Sequence, residues 1–167
     1  STRLPRAIRD VYKRQRLWSI PDKSVAFTAQ TPEMITAVAF TPDGRYAMAG
    51  CLDGQCLFYE TEGLKYQTQL HVRSAKGPNA RGSKITGIQA YHGSSGDIKL
   101  LITSNDSRVR LYNFRDKSLE LKFRGVQNNS SQIRATLSDD GRYVICGSED
   151  RKAHIWSLNG IPVSYTH

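Results

Sequence analysis

The sequence contains no long hydrophobic run. No stretch approaches the ~18 consecutive apolar residues of a membrane-spanning helix, and mean hydropathy is −0.51. The Arg-rich start lacks the apolar core of a secretory signal. Cysteine is scarce: Cys51, Cys56 and Cys146 are an odd set without C-x-x-C spacing. That argues against a disulfide framework and against a cysteine zinc site. Cys51 and Cys56 flank Asp53-Gly54, and in a two-residue hairpin they would face each other across the strands. A cross-strand bridge is one reading of them, and two buried free thiols the other. The histidines, His71, His92, His154 and His167, are scattered without metal-ligand spacing. There is no G-x-S-x-G, P-loop or G-x-G-x-x-G pattern. The expectation is a chain without catalytic residues, bound metal or cofactor.

What is present is a repeat. Asp43-Gly44-Arg45-Tyr46, then Gly50 and Asp53, recurs 97 positions later as Asp140-Gly141-Arg142-Tyr143, then Gly147 and Asp150. A diverged unit between them ends at Asp106. Six residues after each terminal Asp stands an aromatic: Tyr59, Tyr112 and Trp156. Short strands repeating every 40–50 residues or so mean propeller blades. Closed rings need about four to eight blades. Three units plus the tail of an earlier one are therefore expected to be a piece of a larger ring.

The units read as follows. A blade fragment covers 16–29, with Arg16 to Ile20 and Ser24 to Ala29 as strands. Unit one covers about 33–72, unit two 83–123 and unit three 131–158, together a partial propeller over 16–160. In unit one, Ile35, Ala37 and Ala39 alternate with Thr36, Val38 and Phe40, so both faces are largely apolar and suit a strand covered on two sides. Thr41-Pro42-Asp43-Gly44 is a tight turn. Strands are expected at Tyr46 to Leu52, Gln55 to Thr61 and Tyr66 to Val72. In unit two they are expected from Lys84, at Ile98 to Ser104, Arg108 to Phe114 and Leu119 to Phe123. In unit three they are expected at Gln132 to Ser138, Tyr143 to Ser148 and Lys152 to Leu158. Cys56 and Phe58, Val109 and Leu111, and Ala153 and Ile155 occupy the same two positions after each turn Asp, a period of two held in phase. The fold class is all-β, about three four-stranded blades. Residues 1–15 (within them RAIRDVYKRQ) and 161–167 (with PVSYTH) show no such period. They resemble translated cloning-adapter sequence, so both ends are expected to be non-native, a disordered basic arm being the alternative at the N-terminus.

Gly147-Ser148-Glu149-Asp150 followed by Ile155-Trp156-Ser157 resembles the WD-repeat signature. In that family a blade Asp, a strand Ser or Thr, a Trp and an upstream His form a hydrogen-bonded chain. Ser148, Asp150 and Trp156 match it, as do Ser104 and Asp106 with Tyr112 in the Trp place. Asp53 matches alone, with Cys51 and Tyr59 in the other two places. The Gly-His dipeptide is absent from all three units, so the chain of bonds is incomplete. These positions are read as structural. Residues 64–92, 100–125 and 130–157, with HVRS, KITGI and TSNDSR, further resemble a Rab-binding, rabphilin-like group of WD-repeat proteins that has fungal members, over about residues 33–158. That resemblance implies a eukaryotic, cytosolic scaffold, peripheral on endosomal or vesicle membranes, which binds small GTPases. In that group much of the partner-binding sequence precedes the propeller.

The net charge of +9 is uneven. Residues 63–84 hold Lys65, Arg73, Lys76, Arg81, Lys84 and His71 and no acid. This connection joins an outer strand to the next inner strand, which places it on the ring face of the Asp turns, beside Arg108, Arg151 and Lys152. Arg73, Lys76, Arg81, Lys84, Arg108, Arg151 and Lys152 are therefore candidates for an acidic partner or acidic lipid headgroups. A solvated basic loop is the other reading. Nucleic acid fits poorly, because no aromatics interleave for base stacking.

Overall fold

The computed structural model describes residues 14–74 and 81–159. The expected tails lie almost wholly outside these residues, and so does Lys76. The described chain is all-β apart from a single 3-10 turn, Glu62–Leu64. Strands β1 (Arg14–Ser19) and β2 (Ser24–Gln30) form a two-stranded ribbon. The first blade holds β3 (Ile35–Phe40), β4 (Tyr46–Cys51), β5 (Gln55–Glu60) and β6 (Lys65–His71). The second holds β7 (Ile85–His92), β8 (Ile98–Ser104), β9 (Arg108–Asn113) and β10 (Leu119–Phe123). The third holds β11 (Thr136–Leu137), β12 (Tyr143–Gly147) and β13 (Ala153–Ser157). Every sheet is an antiparallel meander in chain order, the architecture of a partial propeller.

Local chemistry makes the blades. In the repeated D-G-R-Y turn, Asp43 accepts hydrogen bonds from the Thr41 hydroxyl (2.5 Å) and the Arg45 amide (3.0 Å). Asp140 does the same for Ser138 (2.6 Å) and Arg142 (3.0 Å). Gly44 and Gly141 take the left-handed conformation at φ 70° and 69°, which costs glycine no Cβ clash.

Alternation then sends each strand's side chains to two different neighbours. In β5, Cys56 and Phe58 join a core with Met48, Ile85, Ile88, Leu100, Ile102 and Tyr112 between the first and second blades. Leu57 and Tyr59, on the opposite face, pack with Ala47, Ala49 and Cys51 against Leu17 and Ala29 of the ribbon. Val109 and Leu111 of β9 face the third blade through Val126, Val144 and Cys146. The period of two read from the sequence is thus the period of blade stacking. Near the inner strands, Thr36 donates to the Ile85 carbonyl (2.6 Å), while Gln132 donates to the carbonyls of Thr36 (2.9 Å) and Thr86 (3.0 Å). These bonds link all three blades.

Three expectations need correction. Cys51 and Cys56 do not face each other. The partner of Cys56 in the ladder is Gly50, and the two thiols lie in different cores on opposite faces of the blade. All three cysteines are free and buried. Ile35 does not share the phase of Ala37: a register shift between them turns Ile35 to the ribbon side. The inner strand of unit three is two residues long rather than seven. There the backbone bonds to side chains of the second blade instead. Ala135 donates to Thr103 Oγ1 (3.0 Å) and Leu137 to Gln89 Oε1 (2.9 Å).

On the ribbon side of the first blade and on the outward face of the third, apolar side chains stand uncovered. Val38 and Phe40 are 57% and 52% exposed, and Ile145 is 43% exposed on the outward face of β12. Apolar sheet faces and open edges of this kind promote association. The isolated 167-residue chain is expected to self-associate as concentration rises, checked by light scattering. A monomer persisting at high concentration would contradict this.

Candidate functional site

The three terminal aspartates build one kind of turn. Asp53 accepts from the Gln55 amide (3.1 Å), and Asp150 accepts from the Lys152 amide (3.2 Å). The residue after each Asp is left-handed: Gly54 at φ 85°, Ser107 at 58° and Arg151 at 67°. The connection between the first and second blades is laid across two of these turns. Val72 N–H donates to the Gly54 carbonyl (2.9 Å), and Asn105 N–H donates to the Lys84 carbonyl (2.9 Å). Gly82 lies so close to the Asp53-Gly54 turn that a Cβ there would sit 2.2 Å from the Asp53 carbonyl oxygen. Only glycine permits that approach.

Under this connection is a residue that the repeat pattern does not single out. Arg110 on β9 is completely buried, the largest of the fully buried side chains among the described residues. Its guanidinium forks onto the Asp106 carboxylate, Nη1 to Oδ1 at 3.1 Å and Nη2 to Oδ2 closer still. Nη1 also donates to Ser104 Oγ (2.9 Å), and Nη2 to Ser74 Oγ (2.9 Å). The Ser74 and Ser104 hydroxyls both donate to Asp106, at 2.5 Å and 2.7 Å. Burial alone would raise the Asp106 pKa. The hydrogen bonds from Arg110, Ser74 and Ser104 and the Arg110 charge outweigh it and hold the carboxyl below its ordinary range. The signal in the sequence was a basic residue four positions after Asp106, on the face that points into an apolar interface. Leu57 and His154 take that place in the other units.

A second polar cluster ties the next connection down. Asn128 is fully buried. It donates to Thr86 Oγ1 (3.1 Å) and accepts from Asn105 Nδ2 (2.9 Å). Beyond it, the amides of Asn129, Ser130 and Ser131 all donate to Glu149 Oε1 at 2.9 Å. These three bonds pull the Glu149 carboxyl down to about 2. Asn128-Asn129-Ser130-Ser131 has the composition of a plain polar loop. Nothing local marked Glu149 as its anchor.

The hydrogen-bonded chain that the resemblance implies does not form in unit three. The Trp156 indole donates to the Arg124 carbonyl (3.2 Å), not to Ser148. Ser148 Oγ instead accepts from the Gln127 amide (2.9 Å) and holds Asp150 low. His154 stacks on Trp156 with ring centroids 5.8 Å apart, and its Nε2 is 4.0 Å from Asp150. In unit two, Tyr112 fills the Trp position as a buried core residue while Arg110 bonds the Ser104–Asp106 pair. In unit one, Asp53 anchors its turn and Tyr59 packs edge-to-face on Tyr66.

The basic candidates divide. Arg73, Arg81 and Lys84 flank the connection laid over the Asp53 and Asp106 turns, and Arg108 stands at the Asp106 turn with Nη1 on the Ser107 carbonyl (2.8 Å). Arg151 and Lys152 belong to the Asp150 turn one unit on, where Lys152 Nζ is 3.9 Å from Asp150. Among the described residues no His, Cys, Asp and Glu side chains are grouped to hold a metal. Burial pushes Cys51 up to about 12 and Cys146 to about 11, and Cys56 further. These remain thiols rather than nucleophilic thiolates. No described helix is long and apolar enough to cross a membrane.

Stacked antiparallel meanders, each turning at an Asp between its second and third strands, are the blades of a propeller, and this chain is a WD-repeat protein. The WD40 family (WD domain, G-beta repeat) matches residues 23–60 and 123–157. Over 146 residues the chain is 52% identical to WD repeat-containing protein 44 of Xenopus laevis, covering 85% of this chain and 16% of that protein. It is 29% identical over 171 residues to 2-deoxy-glucose resistant protein 2 of Saccharomyces cerevisiae, covering 90% of this chain and 20% of that one. It is 27% identical over 147 residues to an uncharacterized WD repeat-containing protein of Schizosaccharomyces pombe, covering 86% of this chain and 25% of that one. The chain thus spans a quarter or less of the length of these relatives.

Asp106→Ala strands the buried Arg110 charge and is expected to cost about 3–5 kcal/mol, whereas Asp106→Ala with Arg110→Met costs clearly less. Urea unfolding in dilute solution, below the onset of association, measures the cycle. Glu149 binds its proton less readily folded than unfolded. Its stabilisation is therefore complete above about 4.5, the unfolded value, and is lost as pH falls towards about 2. Glu149→Gln is expected to flatten that part of the Tm-against-pH curve.

Proposed function

We propose that this chain is part of a non-catalytic interaction scaffold in small-GTPase-linked vesicle or endosomal traffic, cytoplasmic and peripheral on those membranes. The observation that carries the scaffold reading is the clamping of both inter-blade connections onto the Asp turns, through Ser74, Gly82, Asn128 and Glu149. Segments fixed in this way bind a partner with little ordering cost. The small-GTPase part rests on the HVRS, KITGI and TSNDSR resemblance and on the similarity to WD repeat-containing protein 44. The test uses the full-length protein and a Rab loaded with GTP analogue or GDP. Binding at least about fivefold tighter to the GTP form is expected. Equal affinity would sink this reading.

A second reading is favoured by one observation: the connection lying over the Asp53 and Asp106 turns carries cations and, from 63 to 84, no acid. It would take anionic headgroups such as phosphoinositides, through Arg73, Lys76, Arg81 and Lys84. Changing these four to Ala should then weaken binding to phosphoinositide vesicles by about tenfold or more. Unchanged vesicle binding rules that site out.

A further inference from the structure

We propose that Ser74 is a regulatory phosphorylation site, at which a phosphoryl group releases the basic connection from the Asp106 turn. The hydroxyl lies on an exposed residue at the start of the connection. Yet its oxygen is held between two charges, donating to Asp106 Oδ2 at 2.5 Å and accepting from Arg110 Nη2 at 2.9 Å. Arg73 precedes it, and the acid-free run from 63 to 84 surrounds it in sequence. That context suits a protein kinase that reads basic flanks.

In the transfer, Ser74 Oγ attacks the γ-phosphorus of a nucleoside triphosphate bound to the kinase. The Oγ–P bond forms and the bond to the bridging oxygen breaks. The nucleoside diphosphate leaves, and the hydroxyl proton passes to the kinase's base. A phosphatase reverses the modification by hydrolysis.

The consequence follows from charge balance. The cluster now holds one guanidinium and one carboxylate, with the serine proton joining Ser74 to Asp106. Phosphorylation removes that proton and adds about −1.5 to −2 of charge beside the carboxylate. Arg110 cannot follow the new group outward, because its side chain is fully buried in the blade interface and already committed to Asp106 and Ser104. Arg108, the other cation at the turn, has its Nη1 on the Ser107 carbonyl. Inside the cluster one fixed cation then faces two anions, while Arg73 and Arg81 are exposed and Lys84 half-buried, so the phosphoryl group swings away from Asp106 towards solvent and these cations, taking Arg73 and Ser74 with it. The bonds nearest the break are Val72 N–H to the Gly54 carbonyl and Asn105 N–H to the Lys84 carbonyl. The effect of this release on partner binding rests on the scaffold reading above. The modification and the undocking do not, so failure of the GTPase test leaves them standing.

The experiment has two arms. Mass spectrometry of the full-length protein from phosphatase-inhibited eukaryotic cells should find phosphate on Ser74, removed by phosphatase. Its absence under those conditions overturns the proposal. In the second arm, hydrogen exchange is compared among the wild-type chain, a chain carrying encoded phosphoserine at position 74, and Ser74→Ala. Phosphoserine should speed exchange of the Val72 and Asn105 amides by about tenfold or more, and Ser74→Ala by clearly less. Exchange equal to or slower than wild type with phosphoserine means Arg110 accommodates the phosphate, and the proposal fails. It also fails if Ser74→Ala releases the connection as fully as phosphoserine does, because charge would then be irrelevant.

Discussion

The constraint on which the rest depends is that each blade is apolar on both faces. A sheet of this kind cannot bury itself. Cys56 and Phe58 need the second blade, while Leu57 and Tyr59 on the same strand need the ribbon. Each interface buries apolar surface worth roughly 25 cal/mol per Å², and each blade's stability is therefore shared with its neighbours. The same constraint explains the exposed Val38, Phe40 and Ile145, which lie where no neighbouring sheet covers them.

Polar groups inside such interfaces must be paired or they destabilise them. Asn128 and Thr86 meet that condition through each other and Asn105. The two Nη atoms of Arg110 meet it through Ser104 and Asp106 in their own blade and Ser74 in the connection, while its buried Nε has no partner. The polar interior therefore also fixes the loops that cross the Asp-turn side. Glu149 extends the device at the surface by accepting three consecutive amides. In the second and third units the bonds that satisfy the blade interior also position the connecting segments.

Unit two replaces the expected repeat chemistry with a network of its own. Where the resemblance implies an upstream His, Ser74 and Arg110 occupy the space around Asp106. A His–Asp bond is local to one loop and one turn. Arg110 instead makes the docking of the connection depend on a buried charge pair, which is stable while balanced and sensitive to any added charge.

Much of the fold was legible in the residues. The D-G-R-Y turns, the terminal aspartates and the period of two are local signals, set by φ preferences and by strand geometry, and β8 and β10 fall where the order of strands in the repeat unit puts them. The errors share one cause. The separation of Cys51 from Cys56, the bulge after Ile35, the shortened β11 and the anchoring by Arg110 and Glu149 each depend on which atoms of a neighbouring blade or connection arrive at a given point. A period written in the sequence specifies which face a side chain takes. It cannot specify what stands opposite. The sequence by itself determined blades, turns and a basic connection, because those follow from backbone sterics and alternation. Only the tertiary structure decided that Arg110 is buried and that Ser74 lies between its guanidinium and the Asp106 carboxylate, because stacking brings together residues that are 36 positions apart in the chain.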